Sequence, residues 1–289
     1  MSVPAAFDYY PAASVDEAIS LLQQYGDEAK LLAGGHSLLP TMKLRLAQPG
    51  VLIDIGRING LSYIREENGV VHVGALATYA TLAHSDVLRT HFALLSDAAS
   101  VLGDPQVRNR GTIGGAIAHA DPAADMTAIV MALRADIAVK GPNGERTIKA
   151  DDFFVDIFTT ALQPDEIVTE LRFAILPAHS GTAYMKLENK ASHYAVVGCA
   201  AVITLGDDGK CSSASLTITG AAVKPTRASS TESALVGGSL DEATVANAAS
   251  HAANGLELVS DIHGSQAYRA DMTKVMMRRA ILKAAERAR

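Results

Sequence analysis

The sequence predicts an α+β protein in two parts, and three features of its hydrophobic pattern support this. A helical pattern at residues 14–26 is followed by two apolar strand patterns, which is typical of the start of a βαβ unit. Two β-rich runs within residues 194–222 precede two helical patterns, so strands and helices separate in the second half. A chain of 289 residues with 48% hydrophobic residues is long enough to fill two cores.

The clearest single element is the helix over residues 14–26. Ser14 is a typical N-cap residue, Glu17 stands three residues later as in a capping box, and Gly26 ends the pattern. Apolar residues at helical spacing lie between these ends. Three strands are predicted after it, from the sequences AKLLAGG, VLIDIG and GVVHVGALAT, at residues 29–35, 51–56 and 69–78.

The rest of the first half predicts more helices and then a pair of strands. Residues 78–103 are expected to form two helices with a break near residues 84–86. Residues 125–154 predict a helix, a strand, a Pro-Asn-Gly turn and a second strand. A further strand ends at Pro177, where we place the main domain boundary. The predicted domains are residues 1–177, with subdomains of about 1–57 and 58–177, and residues 178–289.

The second half is predicted to begin with a hairpin and to end with helices. The two β-rich runs of residues 194–222 are joined by a Gly-Asp turn of the hairpin type. Helices are expected at about residues 241–256 and 265–287. The smaller second domain is therefore a sheet plus helices.

Charge and cysteine content exclude several classes of function. The net charge is −6 and no dense Lys/Arg block precedes the last dozen residues, so the usual electrostatic basis for nucleic-acid binding is missing. Two cysteines, Cys199 and Cys211, supply neither a disulfide framework nor the ligands of an iron–sulfur cluster. The N-terminal segment lacks a basic start and an apolar core, and the longest apolar stretch, residues 195–205, is too short to cross a bilayer. We expect a cytoplasmic protein with reduced thiols that does not span a membrane.

Two glycine pairs in the first half are candidates for a phosphate site. The sequences AGGHS at residues 33–37 and TIGGA at residues 112–116 give a backbone that can adopt unusual dihedral angles and expose N–H groups. Such a backbone can bind phosphate oxygens, and the Thr112 hydroxyl would add a donor. Neither segment is a G-x-G-x-x-G opening a helix, and no Walker A sequence is present. A phosphorylated ligand would therefore be bound in a fold other than the Rossmann or P-loop fold.

Three segments together resemble the signature sequences of one protein family. They are AGGHSLLPTMKLRLA, GTIGGAIAHADPAADM and YMKLENKASHYAVVG. These sequences are similar to those of the FAD-binding medium subunits of molybdenum hydroxylases, the xanthine dehydrogenase family, and above all to the medium subunit of aerobic carbon monoxide dehydrogenase. The resemblance runs from Phe7 to the last predicted helix and includes GAAVKPTRA and YRADMTKVMMRRAI. It covers nearly the whole chain.

The resemblance implies a fold, a cofactor and partners. The fold would be a two-part FAD-binding domain of the vanillyl-alcohol-oxidase/PCMH type, followed by the smaller α+β domain. The chain would be an electron-transfer flavoprotein, inactive on substrate alone, with FAD as its cofactor. A large partner subunit would hold the molybdenum cofactor and a small one the [2Fe-2S] clusters, and the final acceptor would be a quinone, NAD or oxygen. The substrate stays open, because it is chosen on the large partner.

The resemblance also implies which residues bind FAD. Residues 31–38 would wrap the pyrophosphate with backbone N–H groups, and residues 112–116 would lie on the other side of the cofactor. Asp125 would bond cofactor hydroxyls, Lys186 would lie near the flavin, and Tyr194 would stand beside the isoalloxazine ring. The expected cofactor-binding residues are Leu31, Leu32, Ala33, Gly34, Gly35, His36, Ser37, Leu38, Leu102, Thr112, Ile113, Gly114, Gly115, Ala116, Asp125, Leu162, Lys186 and Tyr194. No catalytic residue and no metal ligand is expected on this chain.

Two positions depart from the family pattern. Ala116 stands where the family often has Asn or Ser after T-I-G-G, so one side-chain hydrogen bond is expected to be missing. His193 stands where the family favours an acidic residue just before the aromatic one, which leaves the surroundings of the flavin open.

Several residues have a second interpretation. His36 supports the loop, or it acts as a base or a covalent flavin anchor; Tyr194 contacts the flavin, or it begins a buried strand. His119, Asp121 and Asp125 could be drawn as a metal set, although Asp121 before a proline is more simply a turn. Asp104 and Arg108 are expected to form a loop salt bridge. The rival functions are a self-sufficient flavin oxidase of the same fold and a scaffold subunit without flavin.

Overall fold

A computed structural model describes residues 3–289, which form three main sheets, a short hairpin and twelve α-helices. The strands are β1 (Asp8–Pro11), β2 (Ala29–Leu32), β3 (Val51–Asp54), β4 (Ile64–Glu67), β5 (Val70–Gly74), β6 (Asp136–Gly141), β7 (Gly144–Lys149), β8 (Phe154–Asp156), β9 (Thr159–Thr160), β10 (Ile167–Ala174), β11 (Ser180–Glu188), β12 (Ala195–Leu205), β13 (Cys211–Thr219) and β14 (Thr226–Arg227). The helices are α1 (Val15–Tyr25), α2 (Leu38–Lys43), α3 (Tyr79–His84), α4 (Asp86–His91), α5 (Ala93–Val101), α6 (Pro105–Arg110), α7 (Ile113–His119), α8 (Asp125–Ala132), α9 (Ala150–Phe153), α10 (Ser229–Leu235), α11 (Glu242–Ala249) and α12 (Gln266–Ala288).

The first sheet is small and parallel, as the predicted βαβ start requires. Strand β3 lies between β1 and β2 and pairs with both in parallel. Helix α1 begins where the capping box predicts, because the Ser14 side chain accepts a hydrogen bond from the Glu17 N–H. It ends at Gly26, whose φ of 52° suits glycine. Strand β2 leads directly into the first glycine segment.

The second sheet is antiparallel, in the order β4-β5-β10-β6-β7. The predicted Pro-Asn-Gly turn joins β6 to β7, and helices α3 to α5 and α8 contribute to the largest hydrophobic cluster beside this sheet. Residues 78–103 form three helices, so the prediction of two was wrong. The expected break occurs at Ser85, and a second one occurs at Phe92 (φ −141°, ψ 65°). Phe92 leaves the helical conformation there, and its ring is buried against Phe173 with 5.7 Å between centroids.

The third sheet is antiparallel, in the order β11-β12-β13-β14, and α12 packs across it. The approach of α12 to β11 is close: a Cβ at Gly181 would lie 2.0 Å from the Ala284 carbonyl oxygen. The predicted helix over 241–256 is shorter than expected, since α11 ends at Ala249. Its last turn closes on Ser250, whose hydroxyl donates to the Asn247 carbonyl at 2.6 Å.

The third sheet also packs onto helices of the first half. The hydroxyls of Thr217 and Ser215 donate to carbonyls of α8, at 2.6 and 2.7 Å, from within the buried interface. Residues of β12 belong to the same apolar cluster as the second sheet. The observed mixture of helices with one parallel and several antiparallel sheets confirms the predicted α+β class, whereas the boundary at residue 177 stays a prediction.

Two further properties concern membrane-spanning helices and the cysteine thiols. Among residues 3–289, no helix combines the length and the apolar character needed to span a bilayer. Cys199 and Cys211 are both free and buried, and burial raises the pKa of both thiols.

Candidate cofactor site

The two glycine segments lie against each other. A Cβ built on Gly34 would lie only 1.9 Å from the Arg110 carbonyl oxygen and 3.1 Å from the Gly111 Cα. A Cβ on Gly115 would lie 3.8 Å from the Ala33 Cβ. Gly34 is therefore required by the close approach of two backbones, and the fold brings both predicted segments to one place.

The first segment presents a run of unpartnered backbone donors. Among the described residues, none of the N–H groups of residues 34–38 has an acceptor. Gly35 has a φ of 77°, and Ser37 does not cap helix α2 with its side chain. The segment is half-buried except for His36, so these donors lie at the edge of the protein rather than in bulk water. Neighbouring backbone N–H groups that have no acceptor in the protein suit an anion.

The second segment uses the donors of both its glycines within the protein, so the expectation of free N–H groups at that glycine pair was wrong. The Gly114 N–H donates to the Ala75 carbonyl at 2.8 Å, and the Gly115 N–H donates to the Thr112 hydroxyl oxygen at 3.2 Å. A Cβ on Gly114 would lie 2.5 Å from the Ala75 Cβ. The second glycine pair thus lets helix α7 pack closely against the end of β5. Thr112 caps that helix, and its hydroxyl hydrogen has no partner among the described residues.

A buried polar cluster lies behind the site. Asp125 opens helix α8 and is only 5% exposed. Lys186 on β11 donates from Nζ to its Oδ2 at 3.0 Å, and the Tyr184 hydroxyl donates to its Oδ1. Burial raises the pKa of the Asp125 carboxyl, while the Lys186 ammonium and the Tyr184 hydroxyl oppose that shift. Burial, reinforced by the Asp125 carboxylate, raises the pKa of Tyr184 well above its ordinary value.

This cluster bears on the role expected of Asp125. Both of its oxygens are bonded within the chain, and its side chain is almost fully enclosed. Contact with cofactor hydroxyls stays a prediction for this residue. Tyr184 was not expected from the sequence, although it lies two positions before Lys186 on one face of the same strand and could have been found by alternation.

Tyr194 stands at the end of a short loop and is 41% exposed. Strand β12 begins only at Ala195, so the interpretation of Tyr194 as the start of a buried strand was wrong. The pKa of its phenol is raised, first by burial of the hydroxyl and then by the Asp121 carboxylate, while the nearby Ser37 side chain lowers it in part. Tyr194 is therefore part-exposed, with Ser37 of the first glycine segment nearby.

Tyr79 is a residue that sequence reasoning missed. It is buried beneath the second segment, where a Cβ on Gly111 would lie 2.6 Å from its ring. Burial raises the pKa of its phenol, and the nearby Tyr194 and Asp125 add to the shift. Its hydroxyl has no partner among the described residues. No pattern in the sequence singles Tyr79 out, because its proximity to these side chains arises only on folding.

Five further residues singled out in the sequence have different surroundings. Leu102 and Leu162 are half-buried and pack on the apolar cluster of the second sheet. His36 is exposed, and its Nδ1 lies 3.2 Å from the Gly34 carbonyl oxygen, which fits support of the loop. Ala116 is half-buried on helix α7, and His193 places Nδ1 3.3 Å from Glu188 Oε2.

Two further interpretations concern Asp121 and Asp104. Asp121 accepts a hydrogen bond from the Ala123 N–H at 2.8 Å, as a turn residue does, and no group of three metal-binding side chains occurs within residues 3–289. Asp104 does not pair with Arg108, so the expected salt bridge was wrong. Asp104 caps helix α6 by accepting from the Val107 N–H at 2.8 Å, and Arg108 donates to the Gly103 carbonyl at 2.8 Å.

Comparison with known families covers both halves of the chain. Residues 5–178 match the family described as the FAD binding domain in molybdopterin dehydrogenase. Residues 182–284 match the CO dehydrogenase flavoprotein C-terminal domain. The chain belongs to the FAD-binding medium subunits of the molybdenum hydroxylase family. Its cofactor is FAD, as the sequence predicts.

Individual relatives agree with this membership. The chain is 41% identical to the carbon monoxide dehydrogenase medium chain of Hydrogenophaga pseudoflava over 96% of this chain and 97% of that one. It is 38% identical to the 6-hydroxypseudooxynicotine dehydrogenase complex subunit alpha of Paenarthrobacter nicotinovorans, over 99% and 97%. A solved Hydrogenophaga pseudoflava carbon monoxide dehydrogenase, which lacks the Mo-pyranopterin moiety of its cofactor, superposes with a TM-score of 0.95 at 43% identity, covering 99% of each chain. The predicted family, fold and flavoprotein-subunit character are confirmed.

Proposed function

We propose that this medium subunit transfers electrons from the [2Fe-2S] clusters of a small partner subunit, through FAD, to an external acceptor. A large partner subunit would hold the molybdenum cofactor and oxidise the substrate. The observation that carries the proposal is the loop of residues 34–38, whose five N–H groups have no acceptor in the described chain. A loop of this kind in a chain of the FAD-binding family is suited to the cofactor's pyrophosphate.

The residues around that loop also fit FAD. The backbone of residues 34–38 would bind the pyrophosphate, and the free hydroxyl hydrogen of Thr112 would add a donor from the facing segment. Tyr194 offers a part-exposed aromatic side chain that could contact the flavin. FAD supplies a group that takes up two electrons and releases them singly or in pairs.

The cysteine content indicates that the [2Fe-2S] clusters are bound by a partner subunit. The chain has two cysteines, and a [2Fe-2S] cluster with thiolate ligands needs about four. Both thiols are also buried, with Cys199 donating to the Thr273 carbonyl. The clusters therefore belong on another chain. A cytoplasmic location stays part of this proposal.

The substrate is assigned to the large partner subunit. Two relatives of similar identity, 41% and 38%, carry names with different substrates, carbon monoxide and 6-hydroxypseudooxynicotine. Medium subunits that are this similar thus serve different oxidations. A role as the medium subunit of a carbon monoxide dehydrogenase is one case of the proposed function.

The test is purification of the chain from its source with whatever subunits accompany it. We expect a large subunit, a small subunit with iron, molybdenum in the complex, and FAD that acid precipitation releases. A chain that turns over a substrate by itself with acid-stable flavin would instead be a self-sufficient oxidase. A colourless chain that takes up no FAD would be a scaffold.

A further inference from the structure

The Lys186 ammonium connects the buried cluster to the loop that carries Tyr194. Its Nζ donates to Asp125 Oδ2 at 3.0 Å and to the His193 carbonyl oxygen at 2.9 Å. The Lys186 side chain is only 7% exposed. A lysine this buried needs hydrogen-bond partners for its side-chain nitrogen, and these two bonds supply them.

The loop of residues 189–194 is otherwise bonded mainly to itself. The Asn189 N–H donates to the Tyr194 carbonyl at 2.9 Å, and the His193 N–H donates to the Asn189 carbonyl at 2.8 Å. His193 has a φ of 59°, a left-handed conformation that a non-glycine residue adopts only when its surroundings impose it. The bond from Lys186 reaches the carbonyl of this strained residue. Lys186 therefore holds the backbone of the residue that directly precedes Tyr194.

We propose that Lys186 is a positioning residue that holds the 189–194 loop closed and so fixes the orientation of Tyr194. Asp125 orients the ammonium, and Tyr184 orients Asp125, so Tyr184, Asp125, Lys186 and the His193 carbonyl form one continuous hydrogen-bonded chain. That Tyr194 in turn covers the flavin rests on the proposed function. The hold on the loop itself does not depend on it.

Trypsin cleavage after Lys190 can report the opening of this loop. The Lys190 side chain is 94% exposed, and trypsin can cut after it once the backbone leaves its closed turn. Lys210 in the turn between β12 and β13 gives an internal control in the same digest, because it lies outside the loop. The digest is carried out on the full chain without added FAD.

Lys186→Met removes the ammonium and keeps the length of the side chain. We expect cleavage after Lys190 to accelerate by about ten- to a hundredfold, the factor that corresponds to losing a charged hydrogen bond, and cleavage after Lys210 to stay the same. Lys274→Met, which removes an exposed lysine paired only with Asp271 on helix α12, is the matched control and should leave both rates unchanged.

A second variant separates positioning from loss of stability. Lys186→Met leaves the Asp125 carboxylate buried without its cation, which can loosen the fold in general. Combining it with Asp125→Asn removes that charge but still lacks the bond to His193. We expect this double variant to be cut after Lys190 as fast as the single one. A return to the parent rate would overturn the proposal.

FAD titration of the assembled complex addresses the flavin part separately. If Lys186→Met opens the loop and alters FAD fluorescence or affinity, the positioning of Tyr194 against the flavin is supported. If the loop opens while both flavin properties equal the parent's, the link to the flavin is overturned and the hold on the loop stands. If cleavage after Lys190 does not accelerate, the positioning role itself fails, whatever the complex does with FAD.

Discussion

The two glycine segments look alike in the sequence and behave differently in the structure. In the first, Gly34 allows backbone contact and residues 34–38 leave their N–H groups without acceptors. In the second, Gly114 also allows close contact, but its N–H and that of Gly115 are bonded within the protein. A glycine pair can therefore expose donors to a ligand or bring two elements together. The fold decides which, since it sets where the acceptors lie.

The largest expected effect is that of Gly34→Ala. The added Cβ would lie 1.9 Å from the Arg110 carbonyl oxygen, and neither backbone can move without separating the segments. We expect a loss of about 3 kcal/mol in unfolding free energy and loss of FAD binding, measured by denaturant unfolding and FAD titration. Gly50→Ala is the control, because its Cβ finds only ordinary contacts beginning at 3.8 Å. A Gly34→Ala protein with parental stability would contradict the observed contact.

Gly114→Ala is the corresponding variant of the second segment. Its Cβ would lie 2.5 Å from the Ala75 Cβ, so helix α7 must shift and about 2 kcal/mol of stability should be lost. FAD affinity, measured at a temperature where the variant is folded, should stay within about threefold of the parent, since the donors of residues 34–38 are untouched. If FAD affinity falls as far as in Gly34→Ala, the two segments do not differ in the way proposed.

A smaller effect is expected at the cap of helix α7. Thr112→Val removes the oxygen that accepts from the Gly115 N–H and should lower stability by about 1 kcal/mol, seen as a decrease in thermal midpoint. Thr112→Ser keeps the hydroxyl and should stay near the parent. A Thr112→Val protein as stable as the parent would show that the hydroxyl cap does not stabilise this helix.

Much of the fold could be predicted because local signals agreed with tertiary structure. Helix α1 carries its capping box and glycine stop, and the β12–β13 hairpin carries its turn, so each element has its own boundary signals. The extra break at Phe92 could not be predicted, since burial of that ring against Phe173 overrides the helical pattern. The early end of α11 follows from a local Ser250 hydrogen bond that a propensity pattern does not distinguish from more helix.

The site was predictable in outline and not in its details. Residues 33–37 and 112–116 could be chosen from glycine content and resemblance, and the fold brings them together. Which segment retains free donors depends on the Ala75 and Ala77 carbonyls just after β5, far away in the sequence. Tyr79 comes close to these residues only because Gly111 packs against its ring in the folded chain. Pairwise contacts of this kind leave no periodic signal in a single sequence.

The most direct test of the account compares His36→Asp with His36→Asn by FAD titration of the assembled complex. His36 is exposed beside the free N–H groups, and the two variants have the same shape but differ by one negative charge. If those donors bind the pyrophosphate, the Asp variant should bind FAD about tenfold more weakly than the Asn variant, with the difference shrinking as salt is added. Riboflavin, which has no phosphate, should bind both variants equally. Equal FAD affinities, or an equal loss for riboflavin, would contradict the claim that the first glycine segment binds the phosphates of FAD.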